Sequence, residues 1–178
     1  MHGGGVSKMK SLSQSRLVRV IGAVQDRVIL VLLMVIPLLV TVQVLLRYVF
    51  QAPLMGIEEL LLFPAIWLYF LGGSSASKER NHIDCGVLVL YIKKDRSLAL
   101  FRVARMAISV IVGIWTSYWA FWFFTYSLTK WKLSDLLYLP MFLGESAIFI
   151  GLVLMTFFSL VELIDRINEF KHTKGAQA

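Results

Sequence analysis

The sequence predicts an all-α integral membrane protein with four transmembrane helices and both termini on the cytoplasmic side. Three observations carry that prediction. The 178 residues are 58% hydrophobic and only 16% charged, whereas soluble domains have roughly 45–50% apolar residues and about a quarter charged. Four apolar runs reach the roughly 20 residues that cross a bilayer. The basic residues are also divided unequally between the segments that join those runs, which sets the orientation.

Residues 1–14 form a Gly-, Ser- and Lys-rich tail expected to be disordered. A four-helix membrane domain follows over 15–170, and 171–178 close the chain as a cytoplasmic tail. From Ser15 to Arg27, Leu17, Val18, Val20, Ile21 and Val24 fall near one helical face. The segment reads either as an amphipathic helix at the cytoplasmic surface or as a continuation of the first span. That span covers 28–46 and contains Pro37, expected to kink it mildly. It begins too late and runs too long for a cleaved signal peptide, and no small-residue cleavage site follows it.

The second span covers 60–77 and ends in the small residues Gly72, Gly73, Ser74, Ser75, Ala76 and Ser77. In the connection from Lys78 to Arg102, the apolar block Val87–Ile92 stands between KER and KKDR. It predicts a second interfacial helix with its cationic residues among phospholipid headgroups. The third span, 103–124, grows aromatic toward its far end, with Trp115, Tyr118, Trp119, Trp122 and Tyr126. Such residues form interfacial belts, and this density also suits packing against a second membrane protein. The fourth span is 141–161.

If all four runs cross, fifteen of the eighteen Lys and Arg residues fall on one side, leaving Arg47, Lys130 and Lys132 on the other. That bias places both termini inside and two short loops outside. It also explains the net charge of +7 without any nucleic-acid partner.

Glu58 and Glu59 open the second span. Their simplest role is to complement the positive end of the helix dipole. Adjacent helical residues point about 100° apart, so one of the two faces the interior or a partner. Arg47 and Glu145 share their depth at the outer ends of the first and fourth spans. The expected arrangement is a structural charge cluster of Arg47, Glu58, Glu59 and Glu145, with Arg47 paired to one of the two acids at the outer corner of the bundle. Gly72 with Ala76, and Gly73 with Ser77, have the spacing that lets helix backbones approach closely, as do Ala147 and Gly151. Packing within the chain or against a partner both fit.

Several functions are disfavoured. His2, His82 and His172 all lie outside the spans, so a haem-binding bundle is not expected. Cys85 is alone, which argues against thiol-pair redox chemistry and cysteine-rich metal sites. No phosphate-binding GxxxxGK[ST] loop is present, and no acid lies near the middle of a span where an ion relay would need one. No enzymatic activity, cofactor or metal is expected.

The order R-Y-x-F-x-x-P-L…E-E, an apolar helix ending in L-G-x-S-x-A, then K-x-R and H-I resembles the small membrane subunit, DctQ-like, of tripartite ATP-independent periplasmic (TRAP) transporters. The match is densest from Arg47 to Ile83. The resemblance implies a multi-pass subunit of the bacterial inner membrane that scaffolds a separate large subunit. That partner would import an organic anion by sodium-coupled elevator movement, with a periplasmic substrate-binding protein delivering the substrate. Lys130, Lys132 and Asp135, in the loop Ser127–Leu139, would then help dock the binding protein, together with the loop Gln51–Ile57. Gly72, Gly73, Ala76, Trp119 and Trp122 would pack the large subunit, and Arg80, His82 and Asp84 would form the family's cytoplasmic motif. The alternative is a self-contained four-helix membrane protein, either a small homo-oligomeric exporter or an interaction-only tetraspan.

Overall fold

The computed structural model of the chain describes residues 15–51, 56–78 and 95–175. It contains four long helices: α1 (Arg16–Tyr48), α2 (Gly56–Lys78), α3 (Asp95–Lys130) and α4 (Phe142–Gly175). Each is long and apolar enough to cross a membrane. The predicted interfacial block 87–92, together with Arg80, His82 and Asp84, lies outside the described residues.

Three helices overreach the spans read from hydrophobicity. At 1.5 Å per residue the 33 residues of α1 extend about 50 Å, against a hydrocarbon core of roughly 30 Å. The lead-in segment is therefore continuous with the first span, one of the two expected alternatives. Ser15 caps it, its hydroxyl accepting from the Val18 amide, and the helix passes through Pro37 as a single element. Proline leaves one carbonyl of the previous turn without its usual donor. One turn on, the Thr41 hydroxyl donates to the Pro37 carbonyl at 2.8 Å.

Thr116, Thr125, Thr129 and Thr156 bond back to their own helices in the same way. A hydroxyl facing lipid has no water to bond with, so the preceding turn supplies its acceptor.

The helices form an open row rather than a closed bundle. In space the order is α1, α2, α4, α3: α2 packs on α1 and on α4, α4 packs on α3, and the start of α1 also meets α4 where Val18 packs with Phe158 and Val161. Among the described residues, α3 has no extensive contact with α1 or α2. Lipid is as apolar as leucine, so no hydrophobic force closes such a row; contacts form where side chains interlock or hydrogen-bond.

The central seam, α2 on α4, interlocks through glycine. A Cβ on Gly151 would meet the Cβ of Phe70 at 2.5 Å and its backbone carbonyl at 3.2 Å, and one on Gly73 would collide with the Met155 methyl. Ala147, one turn before Gly151, is buried. The Ala147/Gly151 spacing therefore serves packing within the chain. Toward the start of α4, the Trp67 indole donates to the Leu143 carbonyl at 2.9 Å.

Candidate partner-binding surfaces

The end of the row away from the start of α1 is built on α2. Glu58 and Glu59 start this helix, as their charge favours, and they diverge as helical geometry requires. Glu58 turns toward α1 and accepts from the Gln43 side chain at 2.9 Å. Glu59 turns toward the connection between α3 and α4, accepting from the amides of Asp135 (3.0 Å), Leu136 (3.2 Å) and Leu137 (2.9 Å).

Arg47 pairs with neither acid. Its guanidinium lies 5.8 Å from the Tyr48 ring centre, and Gln43, one turn earlier, occupies the position beside Glu58 that the charge pattern assigned to Arg47. Glu145 sits in the first turn of α4, where the helix dipole favours a carboxylate, and among the described residues it forms no ion pair with Arg47.

The α3–α4 connection begins later than the sequence suggested, because Ser127–Lys130 are helical. Lys130 therefore ends α3, while Lys132 and Asp135 lie in the loop. The Lys132 ammonium is 5.5 Å from the centre of the Tyr126 ring. Trp131 (φ 43°) and Tyr138 (φ 52°) adopt the left-handed region, at about 1–2 kcal/mol each for residues with a Cβ. Two backbone bonds close the loop: the Ser134 amide to the Leu139 carbonyl (2.8 Å) and the Met141 amide to the Lys132 carbonyl (2.9 Å). They flank a Leu133–Pro140 bridge of the type in which the facing residues exchange no bonds with each other. Pro140 has no N–H to offer, so it fits there.

The small-residue patch on α2 divides between two directions. Gly73 faces Met155 of α4, and Ser77 is buried with its hydroxyl on the Gly73 carbonyl. Nothing lies within 4 Å of a Cβ built on Gly72, and Ala76 is exposed. With exposed Leu62, Ala65 and Tyr69, these two residues follow alternating spacings of three and four along one open face of α2. Gly73 is thus removed from the outward-facing candidates, while Gly72 and Ala76 are available to a neighbour.

Trp119 and Trp122 are both more than half exposed on α3, while Met106, Val110 and Ala120 of the same helix are buried. Between α3 and α4 lies a shallow apolar groove of about 280 Å³ lined by Ile114, Ser117, Val153, Thr156, Phe157 and Leu160. The Ser117 and Thr156 hydroxyls bond to each other there at 3.1 Å, which removes their polarity from the groove.

At the other end, two polar clusters were not anticipated from the sequence. Gln25 is buried, donates to the Leu71 carbonyl at 2.9 Å and accepts from the Ser74 hydroxyl at 3.3 Å. Beside it, Lys78 pairs with Asp26 at 2.6 Å. On α4, Glu162 and Asp165 are buried just beyond the apolar contact of Val18 with Phe158 and Val161, and Arg166 reaches Glu162 at 3.5 Å. The signal for the second cluster was the pair of acids three residues apart in VELID. The signal for the first was a lone glutamine on the apolar side of an arginine-rich turn.

Among the described residues no group of His, Cys, Asp and Glu side chains could hold a metal ion. The sequence profile of the DctQ component of tripartite ATP-independent periplasmic transporters matches residues 36–169. No curated protein gives a significant match to the chain.

Proposed function

Because the chain belongs to the DctQ component family of tripartite ATP-independent periplasmic transporters, we propose that it is the static scaffold of such a complex. In this reading it holds a large sodium-coupled elevator subunit in the bacterial inner membrane, with both its own termini in the cytoplasm. Its outer loop helps dock a periplasmic substrate-binding protein that delivers an organic anion.

The observation that carries the scaffold reading is the open row. Carrying a solute needs an enclosed path lined by polar groups that bind it and let it go. Here the hydroxyls of Thr41, Thr116, Ser117, Thr125 and Thr156 are bonded to their own helices or to each other, and the face of α2 is left open along Gly72 and Ala76. Small residues let a partner backbone come close, and van der Waals packing is the main force between helices in lipid. Exposed Trp119 and Trp122 extend the available surface onto α3.

The docking reading is supported by the fixed outer loop carrying Lys132 and Asp135, next to Lys130. Complementary charges of this kind act mainly on encounter rate and orientation. Reversing both charges, Lys130→Glu with Lys132→Glu, should weaken binding-protein docking roughly 10-fold at low salt and less at high salt. Co-purification of the large subunit should be unchanged. Unchanged docking would remove the loop from the interface. A chain that purifies only as a stable oligomer of itself would favour the self-contained alternative.

A further inference from the structure

Glu59 is a half-buried carboxylate with an unusual occupation. The amides of three successive residues, Asp135, Leu136 and Leu137, converge on its two oxygens from 76 to 78 positions away in sequence. Consecutive N–H groups in a turn form a concave anion site, and here the chain fills that site with its own side chain. Leu137 closes the arrangement from below: its Cδ2 atom lies 2.8 Å from where a Cβ on Gly56 would stand, so the first turn of α2 and the loop are in close contact. On the outer side, Leu136, Tyr138 and Trp131 are about half exposed or more. The loop is therefore gripped on one side and open on the other, and its left-handed residues, Trp131 and Tyr138, are not glycines that would settle there unaided.

We propose that Glu59 is a positioning residue for docking. Its carboxylate latches residues 135–137 so that Lys132, Asp135, Leu136 and Tyr138 meet the periplasmic binding protein in one fixed arrangement. The inference rests on the reading that this loop is part of the docking surface. A loop ordered beforehand does not lose its conformational freedom when the partner arrives, which strengthens binding without any added contact. Glu58, one residue away, bonds to Gln43 of α1 and has no part in the latch.

The test uses the whole membrane complex in proteoliposomes, with the substrate-loaded binding protein titrated from outside. Glu59→Gln keeps the size of the side chain but turns an N–H₂ toward amides that need an acceptor. Amide exchange at 135–137 should quicken by about 10-fold or more as local opening becomes easier. The binding-protein concentration giving half-maximal uptake should rise roughly 5-fold, with the maximal rate unchanged and Glu58→Gln without effect.

A disulfide between Leu133→Cys and Pro140→Cys, with Cys85 replaced by serine, should restore half-saturation in the Glu59→Gln chain. Facing residues of this bridge type lie about 4.5 Å apart at Cα, within disulfide range. Should Glu59→Gln fail to assemble, Glu59→Asp, which keeps the charge but falls short of the amides, takes the same readouts. Unchanged exchange overturns the latch. Faster exchange with unchanged half-saturation, or a cross-link that does not restore it, overturns the positioning role. If the Lys130 and Lys132 reversals leave half-saturation unchanged, the docking reading itself fails; if they shift it and Glu59→Gln does not, only the latch does.

Discussion

The two edges of the row are attached by different physics. On one side, α1 is held by polar contacts to α2 toward its ends, Gln25 and Asp26 near its start and Gln43 near its finish, with a small apolar contact of Val18 on α4. Between them, most of its large apolar side chains are exposed, Val31, Met34 and Leu38 among them. On the other side, α3 is joined to α4 along much of its length by apolar and aromatic packing. Phe124 stacks on Phe149 with ring centres 5.3 Å apart, Phe121 lies 5.9 Å from the same ring, and Trp131 packs on Phe142 at 4.9 Å. Lipid competes equally well for the apolar side chains of both helices. An edge can therefore be held by a few hydrogen bonds that lipid cannot replace, or by close interlocking that lipid cannot match.

Three substitutions separate these mechanisms, taking the central seam as reference. Gly151→Leu should have the largest effect, about 3 kcal/mol or more, because the obstacle is the Phe70 backbone rather than a side chain that can swing away. It should appear as a large fall in the thermal midpoint in detergent. Phe149→Ala removes both ring contacts with α3 and should cost about 2 kcal/mol, freeing α3 while α1 stays protected from amide exchange. Gln25→Leu keeps the volume but deletes the bond to Leu71 and strands Ser74. It should cost about 1 kcal/mol, the scale of interhelical bonds in membranes, and expose the inner half of α1 to exchange with α3 unchanged. Equal loss of protection at both edges in either variant would mean that the row moves as one unit.

Much of this architecture was legible in the sequence. Four helices long and apolar enough to span a membrane, and the Ala147/Gly151 contact, followed from apolar run length and small-residue spacing. The order of the helices in space did not, because an apolar side chain facing lipid reads the same as one facing a helix. Gly72 and Gly73 show the limit clearly. Each begins a small-xxx-small pair, and only the azimuth, set by where α4 lies, turns one inward and leaves the other open. Arg47 shows a related limit: lying at the ends of neighbouring spans does not bring two side chains to the same side of a helix. The contact of Glu59 with a loop more than seventy residues away was hidden as well, since that loop adopts left-handed conformations at Trp131 and Tyr138 without the glycine that would have signalled them.

The central claim is that the open face of α2 is covered by a larger membrane partner. Single cysteines at Gly72, Gly73, Ala76 and Ser77, in a chain with Cys85 replaced by serine, test it most directly by cross-linking in native membranes. Cysteines at 72 and 76 should give a product with the large subunit, while those at 73, facing Met155 of α4, and at 77, buried within the chain, should not. Cross-linking from 73 and 77 alone, or products containing only a second copy of this chain, would contradict the account.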